Sequence, residues 1–210
     1  MITIIDYGLG NIRAFVNVYE RLNIKTKVAH YSEDIKNSTK IILPGVGAFD
    51  YAISQLNASG MRNELEKQVL ERNIPVLGIC VGMQILAESS EEGILPGLGW
   101  VSGEVKKMKV KSEGLGVRSE EWLPLPHMGW NSIKIKTKDK IFKDLEPDSR
   151  FYFLHSYYFE CEDENYSAAT AFYGTDFTCA VRKDNIYGVQ FHPEKSHHNG
   201  IRVLKNFAEM

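Results

Sequence analysis

Pro75-Val76-Leu77-Gly78-Ile79-Cys80-Val81-Gly82-Met83-Gln84-Ile85-Leu86 begins as a short apolar run, as a buried parallel strand requires, and turns through Gly78-x-Cys80-x-Gly82 into a helix. Glycines on both sides of the cysteine permit a sharp strand-to-helix turn that presents the thiol at the strand's end, the spacing of a nucleophile elbow. Cys80 would then face the first N–H groups of the helix starting near Val81, which favour a thiolate. A lone cysteine also reads as a small buried hydrophobe, and these twelve residues leave both readings open.

On either side of this turn the pattern is regular. Met1 to Tyr7 is an apolar run, and after Gly8-Leu9-Gly10-Asn11 the residues Ile12, Phe15, Val16, Tyr19 and Leu22 recur at helical spacing. Thr26 to Tyr31 and Lys40 to Leu43 read as strands, the second ending in Pro44-Gly45-Val46-Gly47, and two helical segments meeting near Gly60 fill Ala48 to Asn73. This alternation predicts an α/β fold with a mostly parallel sheet flanked by helices. Beyond Gly93, Trp100–Val105, Ser132–Lys136 and Tyr166–Tyr173 alternate in polarity and predict added antiparallel strands in the second half. Ser112 to Pro126 reads as a surface loop, Ile186 to Phe191 as a buried strand, and Gly200 to Ala208 as a closing helix.

The chain has 210 residues, 43% of them hydrophobic and 25% charged, with a net charge of −2. That length suits one domain, expected over 1–210, and the charge gives no electrostatic reason for a nucleic-acid or membrane partner. Cys80, Cys161 and Cys179 are an odd number without close spacing, which argues against a disulfide framework and for a reducing, cytoplasmic setting. Met1 leads straight into Ile-Thr-Ile-Ile, and no run approaches the ~18 apolar residues of a membrane span, so neither a leader nor a span is expected.

A thiol nucleophile needs a base to take its proton and a third group to orient that base. His192 and Glu194 fit those roles, just past the end of a strand and held apart by the stiff Pro193. In an open parallel sheet, reacting groups gather outside the carboxyl ends of the strands, where both Cys80 and His192 are expected. Backbone N–H groups of Gly47 and Val81 are candidate oxyanion donors. Gly8-x-Gly10 lacks the third glycine of a dinucleotide loop, Arg13 standing there. His192, His197 and His198 lack partners at metal-binding spacing, so no metal and no cofactor is expected. Cys161, Cys179 and the aromatic runs 151–153 and 157–159 read as structural.

Gly78-Ile79-Cys80-Val81-Gly82-Met83-Gln84 together with Phe191-His192-Pro193-Glu194-Lys195-Ser196 resembles the class I, triad-type glutamine amidotransferases. Asp6-Tyr7-Gly8-Leu9-Gly10-Asn11, Pro44-Gly45-Val46-Gly47-Ala48-Phe49 and Pro126-His127-Met128-Gly129-Trp130-Asn131 are similar to the branch of that family serving histidine biosynthesis. Val81 departs from the leucine commoner at that position, and the 112–126 stretch is longer than the family minimum. The resemblance implies a flavodoxin-like domain that hydrolyses glutamine to glutamate and ammonia through Cys80, His192 and Glu194. It further implies a glutamine pocket of Gly47, Gln84, Glu92, Ser156 and Tyr157, with Glu92 pairing with the substrate ammonium. Ammonia would pass to a separate (β/α)8-barrel cyclase chain, forming a heterodimer with this one, across an interface containing Asn11, Trp130, Tyr152 and Lys195. The competing readings are a glutaminase serving a different synthetase, a cysteine hydrolase acting alone, and a non-catalytic scaffold.

Overall fold

A computed structural model describes residues 1–109 and 123–210, so most of the expected 112–126 loop lies outside the described residues. The first half runs β1 (Ile2–Ile5), α1 (Ile12–Arg21), β2 (Thr26–Ala29), α2 (Ser32–Ile35), β3 (Lys40–Gly45), α3 (Phe49–Ala58), α4 (Arg62–Glu66), β4 (Val76–Cys80) and α5 (Val81–Gln84). The second half runs β5 (Ser89–Ser90), β6 (Gly103–Lys107), β7 (His127–Ile135), β8 (Arg150–His155), β9 (Tyr157–Cys161), β10 (Ser167–Phe172), β11 (Asp176–Lys183), β12 (Ile186–Val189) and α6 (His197–Glu209). The sheet order is β2-β1-β3-β4-β12-β11-β10-β7-β8. From β2 through β12 all neighbours are parallel, and from β12 to β8 they are antiparallel. The mixed α/β architecture is the one expected, with its antiparallel additions contributed by the second half.

The elbow strand β4 lies between β3 and β12, and each of its residues is buried. That position explains its uninterrupted apolar composition, because a central parallel strand shows neither face to water. Helix α1 packs on α6, where the buried Tyr19 hydroxyl donates to the Leu204 carbonyl at 3.2 Å. No helix among the described residues is long and apolar enough to cross a membrane.

Several boundaries differ from expectation. The strand expected over Trp100–Val105 starts at Gly103, and Trp100 and Val101 enter the core from irregular chain. The strand expected over Ser132–Lys136 begins at His127, so the Pro126–Asn131 motif lies almost wholly on β7. The aromatic runs are β8 and β9: in β8, Phe151, Phe153 and His155 point into the core while Leu154 is exposed.

Candidate active site

Cys80 closes β4 with φ 56° and ψ −114°, a left-handed conformation costly for any residue bearing a Cβ. The strain is held by close packing. A Cβ on Gly82 would strike the Leu43 carbonyl oxygen of β3, and one on Gly78 would strike the Gly82 carbonyl. Both glycines are therefore required by approach of backbone to backbone, which is what the Gly-x-Cys-x-Gly spacing encodes. Helix α5 is a single turn, so its dipole gives the sulfur less support than a full helix would.

His192 follows β12 across the sheet, and its Nδ1 lies 2.9 Å from Glu194 Oε1, with both side chains almost wholly buried. Burial disfavours the imidazolium, but hydrogen bonding and charge from Cys80 and Glu194 outweigh it and raise His192 to about 10. The ring is thus built to hold a proton. The turn is fixed by Ser196, whose buried hydroxyl donates to the His192 carbonyl at 2.6 Å and accepts from the Tyr152 amide of β8 at 2.9 Å. Glu194 Oε2 is buried without a partner among the described residues.

Cys80, Val81 and His192 open onto one cavity of about 310 Å³, which Gly47, Gln84, Glu92, Ser156 and Tyr157 also line. All five residues expected around the substrate are therefore together with two of the three expected reacting side chains, and Glu194 backs His192 from behind. The cavity is at the small end of ligand pockets and suits a molecule of amino-acid size. Gly47 has φ +89°, a conformation open to glycine, at the mouth of the loop after β3. Glu92 Oε2 accepts the Phe49 amide of α3 at 2.8 Å, leaving the other carboxylate oxygen for a cationic ligand.

One backbone oxygen fixes the polarity of the cavity wall. The Tyr157 carbonyl can only accept, and it takes Gln84 Nε2 at 3.1 Å and His155 Nδ1 at 2.8 Å. Gln84 Nε2 also donates to Gln190 Oε1 at 3.0 Å, so both its protons are used and only its carbonyl oxygen remains to meet a ligand. With Nδ1 of His155 committed, its Nε2 must accept from His127 Nδ1 at 3.0 Å, and His127 Nε2 in turn accepts from Asn131 Nδ2 at 3.3 Å. Both histidines are neutral donors and acceptors in one chain. His127 is pushed down to about 4 by burial. Burial pushes His155 down to about 3, against the Tyr157 bond and reinforced by His127 and His192.

Three of the four residues expected at a partner interface cluster beside this opening. Lys195 lines the cavity as well, with its ammonium 5.7 Å from the Tyr152 ring centre. Trp130 is 39% exposed, stacks on His197 with ring centres 5.0 Å apart, and meets Tyr152 edge-on at 6.2 Å. Asn11 instead caps α1, accepting the Ala14 amide at 3.3 Å, and belongs to the segment that follows β1. His197 serves as a stacking partner, and among the described residues no three His, Cys, Asp or Glu side chains form a metal set.

Sequence reasoning missed Ser196, Gln190 and the His127–His155 pair. Gln190 just past β12, His155 at the end of β8 and His127 at the start of β7 are buried polar residues at strand ends, and a buried polar side chain must find a partner.

Comparison with known proteins gives the family. The family model for glutamine amidotransferase class-I matches residues 3–210. Over all 210 residues and the whole of each relative, the chain is 56% identical to the imidazole glycerol phosphate synthase subunit HisH of Bdellovibrio bacteriovorus and 51% identical to that of Leptospira interrogans. A crystal structure of a glutamine amidotransferase superposes with TM-score 0.71 at 19% identity, covering 100% of this chain and 99% of that one. The structure of PurLQS from Thermotoga maritima gives 0.68 at 18%, covering 99% and 97%. These two likenesses concern the fold, whereas the match over residues 3–210 and the full-length relatives decide the family: the chain belongs to the class-I glutamine amidotransferases.

Proposed function

We propose that this chain, as a single domain over 1–210, is the glutaminase subunit of imidazole glycerol phosphate synthase. It hydrolyses L-glutamine and passes the ammonia to a cyclase (β/α)8 barrel, with which it forms a heterodimer in the cytoplasm. The barrel uses the ammonia to make imidazole glycerol phosphate and AICAR in histidine biosynthesis. The observation that carries this reading is the convergence of Cys80 and the Glu194-backed His192 on a cavity of about 310 Å³. Full-length similarity to proteins named as HisH supports the choice of acceptor pathway.

The chemistry follows from the groups present. Glu92 and the Gln84 carbonyl oxygen, both acceptors, receive the α-ammonium and set the side-chain amide against the sulfur. His192 holds the Cys80 proton as an imidazolium, and the thiolate adds to the amide carbon while N–H groups of Gly47 and Val81 receive the oxyanion. His192 then protonates the departing nitrogen, the C–N bond breaks, and ammonia leaves a glutamyl thioester. Water, deprotonated by the same ring, attacks the thioester and releases glutamate, with the proton returning to sulfur. Trp130, Tyr152, Lys195 and Asn11 are assigned to the barrel interface.

The test is glutamine hydrolysis by the chain alone and with a cyclase barrel carrying its ligand. The reading expects a rate that is low alone and rises on addition of the barrel. Full activity alone, indifferent to the barrel, overturns it in favour of a self-sufficient hydrolase.

A further inference from the structure

Gln190 sits one residue past β12, is wholly buried, and plays no part in the triad or the expected glutamine pocket. Its side chain lies between two others. Gln84 Nε2 donates to its Oε1 at 3.0 Å, and its own Nε2 is 3.8 Å from Cys80 Sγ. The orientation is not free. Because the Tyr157 carbonyl demands the nitrogen of Gln84, that nitrogen demands the oxygen of Gln190, and the amide nitrogen of Gln190 is turned toward the sulfur. Reversing it would set the N–H groups of the two glutamines against each other and leave two donors buried without acceptors.

We propose that Gln190 is a further catalytic group of this chain, a fixed neutral donor that stabilises and aims the Cys80 thiolate. The proposal rests on the glutaminase reading for the identity of the reaction, although the contact with the sulfur is independent of the substrate. The sulfur has two neighbours of opposite kind: the Leu154 carbonyl at 4.0 Å can accept from a thiol, and the Gln190 amide can donate to a thiolate. When the proton passes to His192 the sulfur exchanges the first partner for the second, and a donor meeting an anion is stronger than one meeting a neutral thiol. The relay Tyr157 carbonyl, Gln84, Gln190, Cys80 thereby ties the wall that binds the substrate to the atom that attacks it. Because the amide of Gln84 is locked in the same relay, one backbone carbonyl sets both the acceptor offered to the ammonium and the donor offered to the sulfur.

The experiment uses the full chain and reads alkylation of Cys80 by iodoacetamide at pH 7, followed on the Cys80 peptide by mass spectrometry, beside kcat and KM for glutamine with the cyclase barrel bound. Gln190→Glu keeps shape and the bond from Gln84 but replaces the donor at sulfur by an acceptor; Gln190→Met keeps volume and removes the donor without adding charge. Both are expected to slow alkylation roughly tenfold and to lower kcat similarly, with KM within about twofold, as loss of one hydrogen bond to a charged group requires. Parental alkylation rates in either folded variant overturn the proposal, as does a raised KM with kcat retained, which would make Gln190 a support for Gln84 only. A third measurement needs no change at Gln190: its side-chain amide resonance in the otherwise native chain should move on Cys80→Ala, and an unmoved resonance contradicts the contact. Failure of the glutaminase reading looks different, because the parental chain would then alkylate normally yet leave glutamine intact even with the barrel and its ligand bound.

Discussion

His192 Nδ1 and Glu194 Oε1 are 2.9 Å apart, two residues from one another in sequence and both nearly sealed from water. The stiff Pro193 between them and the Ser196 hydroxyl beyond fix this pair before any substrate arrives. The second carboxylate oxygen has no partner among the described residues, so the ring is the one group Glu194 bonds there.

Glu194→Gln keeps the shape of the pair and removes the charge that helps hold His192 at about 10. Glutaminase kcat with the barrel bound should fall by about 10²-fold or more, the range of general acid–base contributions, while KM changes little. Steady-state assay at saturating glutamine checks this; an unchanged kcat would remove Glu194 from the mechanism.

Gly47→Ala tests the loop after β3. A Cβ there meets nothing within 4 Å, so any effect acts through the backbone at φ +89°, where a non-glycine residue costs about 1–2 kcal/mol. Glutamine hydrolysis should drop while alkylation of Cys80 at pH 7 is unaltered, since the thiol and its base are untouched. Equal loss of both would place the damage at the elbow instead.

The neutral histidine chain predicts loss of stability in acid. His127 and His155 titrate near 4 and 3 in the folded chain and near the ordinary 6.5 when unfolded, so between those values the unfolded state binds more protons. Stability should therefore fall as pH drops from about 6.5 toward 4, by about 2 kcal/mol at pH 5 from His155 alone. His192 has the opposite sign: its raised value contributes stability fully present below about 6.5 and lost as pH rises through about 10. Urea unfolding at pH 5, 7 and 9.5 reads both limbs, and His155→Gln should flatten the acid one.

The parts of this molecule legible in the sequence were those that carry a periodic or punctuating signal. Val76–Ile79, Ile41–Leu43 and Ile186–Val189 are central parallel strands, and continuous apolar runs announce them. Gly78 and Gly82 announced the elbow because only glycine fits against the β3 and α5 backbones. Strand β11 was not legible: its ends are Asp176 and Arg182-Lys183, and its identity comes from pairing with β10 and β12 at long range. The hub role of the Tyr157 carbonyl had no signal at all, because a main-chain oxygen is the same at every position and only the fold decides which side chains reach it.

The central claim is tested most directly by Cys80→Ala assembled with the cyclase barrel, with product formation measured separately from glutamine and from ammonium salt. The account predicts that glutamine no longer supports synthesis while ammonium still does, at close to the parental rate. Synthesis persisting from glutamine, or absent from both nitrogen sources in an intact heterodimer, would contradict it.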